Sequence, residues 1–301
     1  MRRFYRFLPQ PSRLLRTGGL VRTGSFALAG ALVLGAASAQ AAGIPFLPHQ
    51  ASYDLSLLKS RNGAAAVDSA RGRILYNFSG SACEGYTSEF RQVSELNGSE
   101  GKSTLSDLRS TSWEDADGKT YRFKIDTRMN EGASTGVDGI AERTGDHITV
   151  KLKQPIAKTF TLDGSIVFPT QQIRRIIAAA REGKSLLELT IYDGSDNGEK
   201  VYNTLSVIGK PIAGDKVTTP DPSTSNDTMK TLTRWPVTVS YYDRDAKSNS
   251  GEQTPTYAMS FELYENGVSR ALKLDYNDFV IAGKLDKFEV KSVKPCKPGE
   301  K

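Results

Sequence analysis

From residue 51 onward the chain is punctuated by glycine turn dipeptides: Asn62-Gly63, Asn97-Gly98, Asp117-Gly118, Asp138-Gly139, Asp163-Gly164, Asp193-Gly194 and Asn266-Gly267. Asn-Gly and Asp-Gly supply the positive φ angles that tight hairpins require. Between them lie short segments rich in Tyr, Val, Ile, Thr and Phe that alternate in polarity. Tyr121, Phe123 and Ile125 stand against Arg122, Lys124 and Asp126; Val237, Val239 and Tyr241 stand against Thr238, Ser240 and Tyr242. A period of two gives each strand one apolar and one wet face. The series predicts a mainly β chain, a meander of antiparallel strands in a single domain over 40–301.

One segment departs from that period. Ile173, Ile176, Ile177 and Ala180 fall at i, i+3, i+4 and i+7, after Pro169-Thr170 and before Gly183. The spacing predicts a short amphipathic helix, capped by Thr170 and stopped at Gly183. The stretch 214–231, with Pro220, Pro222 and a run of Ser, Thr and Asn, has no periodicity and reads as a long mobile polar loop.

The first 39 residues read differently. Arg2, Arg3, Arg6, Arg13, Arg16 and Arg22, with no acidic residue, precede an apolar run from Phe26 to Ala37 and the small-x-small pattern Ala37-Ser38-Ala39. That is the pattern of a secretory signal peptide cleaved near Ala39, its apolar run too short to span a bilayer. The expected location is the periplasm, by the Sec or the twin-arginine route, with no transmembrane segment in the mature chain. Those six arginines account for the basic excess of the whole chain, 40 against 34. The remainder is balanced, so no long-range field draws it to nucleic acid.

Cys83 and Cys296 are the only two cysteines. In an oxidising compartment they are expected to pair. A redox-active pair, a metal site or free thiols are the alternatives, and neither a CxxC motif nor a nearby histidine supports the first two. Catalytic signals are absent: no GxSxG, HExxH or glycine-rich phosphate loop occurs, and His49 and His147 sit in no nucleophile-base pattern. His49 reads as exposed and irregular, His147 as a turn residue. Asp193 to Gly198 imitates the start of a calcium loop, but Thr204 stands where a bidentate glutamate is required and the flanks look like strands. Glu114 and Asp115 abut a turn and read as solvated. No catalytic residue, metal ligand or cofactor is assigned.

Several segments carry a more specific signal. Ser69-Ala70-Arg71-Gly72-Arg73-Ile74-Leu75-Tyr76, Cys83-Glu84-Gly85-Tyr86, Ser112-Trp113-Glu114-Asp115, Phe168-Pro169-Thr170, Trp235-Pro236-Val237, Tyr264-Glu265-Asn266-Gly267-Val268 and Leu272-Lys273-Leu274-Asp275-Tyr276 resemble the EipB-like family of periplasmic cell-envelope integrity proteins of alphaproteobacteria. The resemblance runs from about Ala51 to Cys296. It implies a strongly curved antiparallel β-spiral, shaped like periplasmic lipoprotein carriers, with a helix packed into it. It also implies a disulfide between Cys83 and Cys296, no established activity or cofactor, and a role in the envelope under stress.

A sheet with one apolar face must bury it, and one short helix is too small to cover it. The sheet must curl on itself or hold something. An incompletely closed curl leaves an apolar groove, for which Trp113, Trp235, Tyr241 and Phe261 are the candidate lining residues. The leading expectation is a non-enzymatic protein that maintains envelope integrity by binding an envelope protein, a lipid or a peptidoglycan-associated component. A lipid or lipoprotein carrier is the sharper alternative, and an envelope hydrolase the remote one.

Overall fold

A computed structural model describes residues 45–61, 67–98, 101–217, 219–246 and 253–292, all within the compact unit 42–301. The predicted leader and Cys296 lie outside the described residues.

Among the described residues, fourteen strands form one antiparallel sheet. They are β1 (His49–Ser60), β2 (Val67–Ser81), β3 (Gly85–Gly98), β4 (Ser103–Glu114), β5 (Thr120–Met129), β6 (Thr135–Thr144), β7 (His147–Gln154) and β8 (Lys158–Asp163). After helix α1 (Pro169–Arg181) come β9 (Leu186–Ile191), β10 (Tyr202–Ile208), β11 (Arg234–Asp243), β12 (Tyr257–Tyr264), β13 (Ser269–Asp275) and β14 (Phe279–Val290). Spatial order runs from β8 down to β1, then β14 down to β9. The first and last strands are therefore paired in the middle of the sheet, and the two edge strands, β8 and β9, flank the helix in sequence.

The turn dipeptides divide by role. Asp117-Gly118 and Asn266-Gly267 make the β4–β5 and β12–β13 hairpins, and Asp193-Gly194 opens the longer β9–β10 connection. Asp138-Gly139 instead lies inside β6, at a register shift against β7. There Gly139 is required because a Cβ would come within 2.6 Å of the Phe123 ring. Asp163-Gly164 leads from β8 towards the helix, Asn97-Gly98 ends β3, and Asn62-Gly63 lies outside the described residues.

The sheet curls, and its edge strands β8 and β9 do not pair with each other; a short backbone bridge from Val167 to Ile191 and a set of side chains cross the seam. Tyr192 and Val201, from the β9–β10 connection, pack with Tyr121, Phe123, Val150 and Phe168 in a core of their own. The Tyr121 hydroxyl donates to the Asp193 carbonyl at 3.1 Å, and Lys158 on β8 pairs with Glu199. Gly194 reaches this seam at φ +71°, where any Cβ would strike Phe123.

The helix is N-capped by Phe168, with Pro169 as its first residue, and not by Thr170. It ends as the sequence predicts. Gly183 takes φ +74°, its N–H donates to the Ala180 carbonyl at 3.1 Å and that of Lys184 to Ala179 at 2.9 Å, a Schellman closure. Ile176, Ile177, Ala179 and Ala180 are buried against Trp235, Val237, Val239 and Leu263 in the main core.

The long loop, read from sequence as mobile, is anchored to the sheet by buried ion pairs and hydrogen bonds. Arg234 and Arg270, only 1 % and 2 % exposed, share the Glu262 carboxylate at 2.6 and 2.5 Å. Arg234 also donates to the Lys216 carbonyl at 2.5 Å, and Arg270 to the Thr219 carbonyl and Asp221 carboxylate, each at 2.6 Å. Strand arginines and loop acceptors thus fasten the segment to the outer face of β11–β13. Below it Met229, Tyr264 and Val268 form a small apolar cluster.

Candidate functional site

The inward face of the curled sheet is not filled. A cavity of about 380 Å³ lies between the two arms of the sheet, walled by Ile74 and Phe90 on one side and by Tyr241, Met259, Phe261 and Leu272 on the other. Ile173 and Ile176 of α1 form one end of it. A further space of about 120 Å³ lies beside Phe46, Phe78 and Thr170, and one of about 990 Å³ extends beneath β3–β6 to the β9–β10 connection. Tyr76 lines all three, while Phe90 and Tyr257 line the first and the largest. The three lobes adjoin one another along these shared walls.

Of the residues proposed from sequence to line a groove, Tyr241 and Phe261 stand in the wall of this cavity, the Tyr241 ring stacked on Tyr257 at 4.4 Å. Trp235 is 5 % exposed and packed into the main core away from the cavity wall. Trp113 lies on the outer face, a correction to the sequence reading. It pairs with Thr87 and Arg122, its indole N–H donates to the Glu84 carbonyl at 3.1 Å, and the Arg122 guanidinium lies 5.3 Å from the ring centre. Strand parity explains the error: Ser112 and Glu114 take the inward positions of β4, so the tryptophan between them points out.

Glu114 is the inward carboxylate that sequence reasoning missed. It is 2 % exposed and accepts the helix N–H groups of Thr170 at 2.7 Å and Gln171 at 3.0 Å. A residue from β4 therefore caps the first turn of the helix, beside the Gln171 side chain that accepts the Phe168 N–H at 3.5 Å. Burial pushes its pKa up to about 7, against the pull of those N–H groups and of Arg174. The folded protein then holds a proton that the unfolded chain releases near pH 4.5. Stability should fall by roughly 3 kcal/mol as pH rises from 4.5 to 7 and level off above. Replacing Glu114 with glutamine should flatten that slope, read as urea midpoints from pH 5 to 8; an unaltered slope would remove Glu114 as its cause.

His49 is also corrected from exposed to buried. It opens β1 at 3 % exposure, and its Nδ1 lies 2.7 Å from the Leu47 carbonyl, to which it donates. Burial lowers its pKa, so it is neutral at pH 7 and turns an acceptor nitrogen, Nε2, to the interior. His147 is exposed at the start of β7 beside Asp146. The calcium-like segment is a turn closed on itself: Asp193 accepts from Ser195 N–H, Asn197 from Glu199 N–H, and Asp196 from the Tyr202 hydroxyl. Among the described residues no cluster of three His, Cys, Asp or Glu has the spacing of a metal site. No helix among them is long and apolar enough to cross a membrane.

A strongly curved, unclosed antiparallel meander with a helix packed into it is what the resemblance implied, and comparison with known proteins agrees on that fold. The sequence signature of the EipB-like family matches residues 40–292. The chain belongs to the EipB-like family. A member from Brucella abortus (strain 2308), the cell envelope integrity protein EipB, is 36% identical over 262 residues, 85% of this chain and 88% of that protein. A crystal structure of a beta-barrel-like protein from Brucella abortus, described as a domain of unknown function, superposes with a TM-score of 0.74 at 33% identity. It covers 83% of this chain and 100% of its own. The EipB-like family is named for envelope integrity, not for a reaction.

Proposed function

We propose that this protein is a non-enzymatic periplasmic protein that maintains cell-envelope integrity by holding the alkyl part of an envelope lipid in its interior. The observation that carries this reading is the 380 Å³ cavity, whose volume falls in the range of small-ligand sites and whose wall is mainly aliphatic and aromatic, with a few polar side chains such as His49, Gln92 and Gln172. The name of the Brucella relative supports the envelope role.

Export and a Cys83–Cys296 bridge belong to the same proposal. The sequence pattern of residues 1–39 supports the first. Strand order supports the second. Cys83 sits in the turn after β2, and His49 pairs with both Phe78 of β2 and Val290 of β14, so that turn and the end of β14 share one rim. From Val290 to Cys296 the chain reaches about 20 Å when extended. That suffices to cross β1, two strand spacings of about 4.8 Å each.

One preparation tests all three. Protein taken from its own periplasm should show, by native mass spectrometry, the mass of a chain lacking the leader, plus a stoichiometric adduct that organic extraction identifies as lipid. Denatured without reductant it should take up no thiol reagent. A clean unliganded mass would overturn the lipid reading; two labelled thiols would overturn the bridge.

A further inference from the structure

The interior has two lobes of different chemistry, and neither carries a positive charge. The 380 Å³ lobe is apolar. The 990 Å³ lobe shares Tyr76, Phe90 and Tyr257 with it and is also mostly apolar, but its wall adds a set of hydroxyl and amide side chains: Ser88, Ser110, Ser112, Thr127, Thr135 and Asn197. Ladder register sets Ser88 against Ser112 and Phe90 against Ser110, and parity turns all four inward. Among the described residues, no lysine or arginine lines either lobe or the smaller space beside them. The ionisable side chains that do are Asp193, Asp196 and Asp275 with His49 and tyrosines. Burial raises the Asp193 pKa and keeps His49 neutral.

An anionic head drawn into this space would lose its hydration and find carboxylates and no cation, so it would bind weakly. An uncharged head rich in hydroxyls can both donate and accept, and in the larger lobe it meets serine and threonine hydroxyls and the Asn197 amide. From the pairing of an apolar lobe with a cation-free hydroxyl lobe we infer that the interior takes a single-chain amphiphile with an uncharged polyol head, a monoacylglycerol or glycolipid type, with the chain in the smaller lobe and the head in the larger. This rests on the lipid reading above and specifies its ligand.

The test uses three amphiphiles with the same alkyl chain, monododecanoylglycerol, dodecanoate and dodecyltrimethylammonium. Each displaces the fluorescent probe N-phenyl-1-naphthylamine from the mature protein at pH 8, below its micelle concentration. The glycerol ester should bind about tenfold or more tightly than dodecanoate, whose head finds no cation, and more tightly than the ammonium ligand, which can donate no hydrogen bond to the hydroxyl groups. In Ser110→Leu, with an unchanged melting temperature, its affinity should fall several-fold while that of the probe stays the same. A charged ligand that binds as tightly as the ester, or an ester indifferent to Ser110→Leu, would overturn the polyol inference and leave the lipid reading standing. Failure of all three to displace the probe would overturn both.

Discussion

Replacing Glu262 with alanine is expected to destabilise the protein by about 3–5 kcal/mol, because it leaves two buried guanidinium groups facing each other without their shared carboxylate. Arg234 and Arg270 are almost wholly buried, and each spends its remaining donors on loop carbonyls. Asp221 would still hold Arg270, but it also accepts the N–H groups of Ser223 and Thr224 and the Ser223 hydroxyl, so the strain spreads into the loop. Two measurements check this: a urea midpoint well below wild type, and new proteolytic cleavage within 209–233 under native conditions. Replacing Arg234, Glu262 and Arg270 together with leucine or methionine should cost far less than Glu262→Ala alone, since no uncompensated charge remains. Equal losses for the two variants would mean that packing of the loop, and not charge pairing, sets its contribution.

Ile176→Asp should cost about 4 kcal/mol or more, enough to abolish folding in a domain of ordinary stability. Ile176 has no exposed surface, and its side chain stands where the main core meets the cavity, so the introduced carboxylate would be buried among aliphatic and aromatic neighbours. Ile173→Asp, at a partly buried position of the same stripe, should cost clearly less. Thermal denaturation of the two variants reads the difference. A small shift for Ile176→Asp would show that the helix is not seated in the cup.

These two predictions mark what was and was not legible in the sequence. The helix was legible because a period of 3.6 stands out among periods of two, and Gly183 marks its end with a residue that no other fits as well. The strands were legible for the same reason, since apolar and polar residues alternate wherever one face is wet. Arg234, Arg270 and Glu262 were not. Each occupies an outward strand position, where a charged residue ordinarily meets water, and only the loop that packs over them makes them interior. Glu114 and Trp113 exchanged their expected places because the helix N-terminus needs an acceptor at one inward position, a demand that arises between elements 56 residues apart. Tyr76 and Tyr257, which join the lobes, sit on strands whose alternation announced an inward face but not whether that face meets a neighbour or an empty space.

The strand order has a consequence for how the chain reaches this structure. Nearly every ladder in the sheet joins strands that are neighbours along the sequence, and such pairs close short loops at small entropic cost. The ladder between β1 and β14 is the exception, bringing His49 to Val290. It can form only when nearly all of the chain is available. Two meanders, one on each side of the helix, are thus free to assemble early as local units, and the joining of the termini at the centre of the sheet is the late, slow step that unites them.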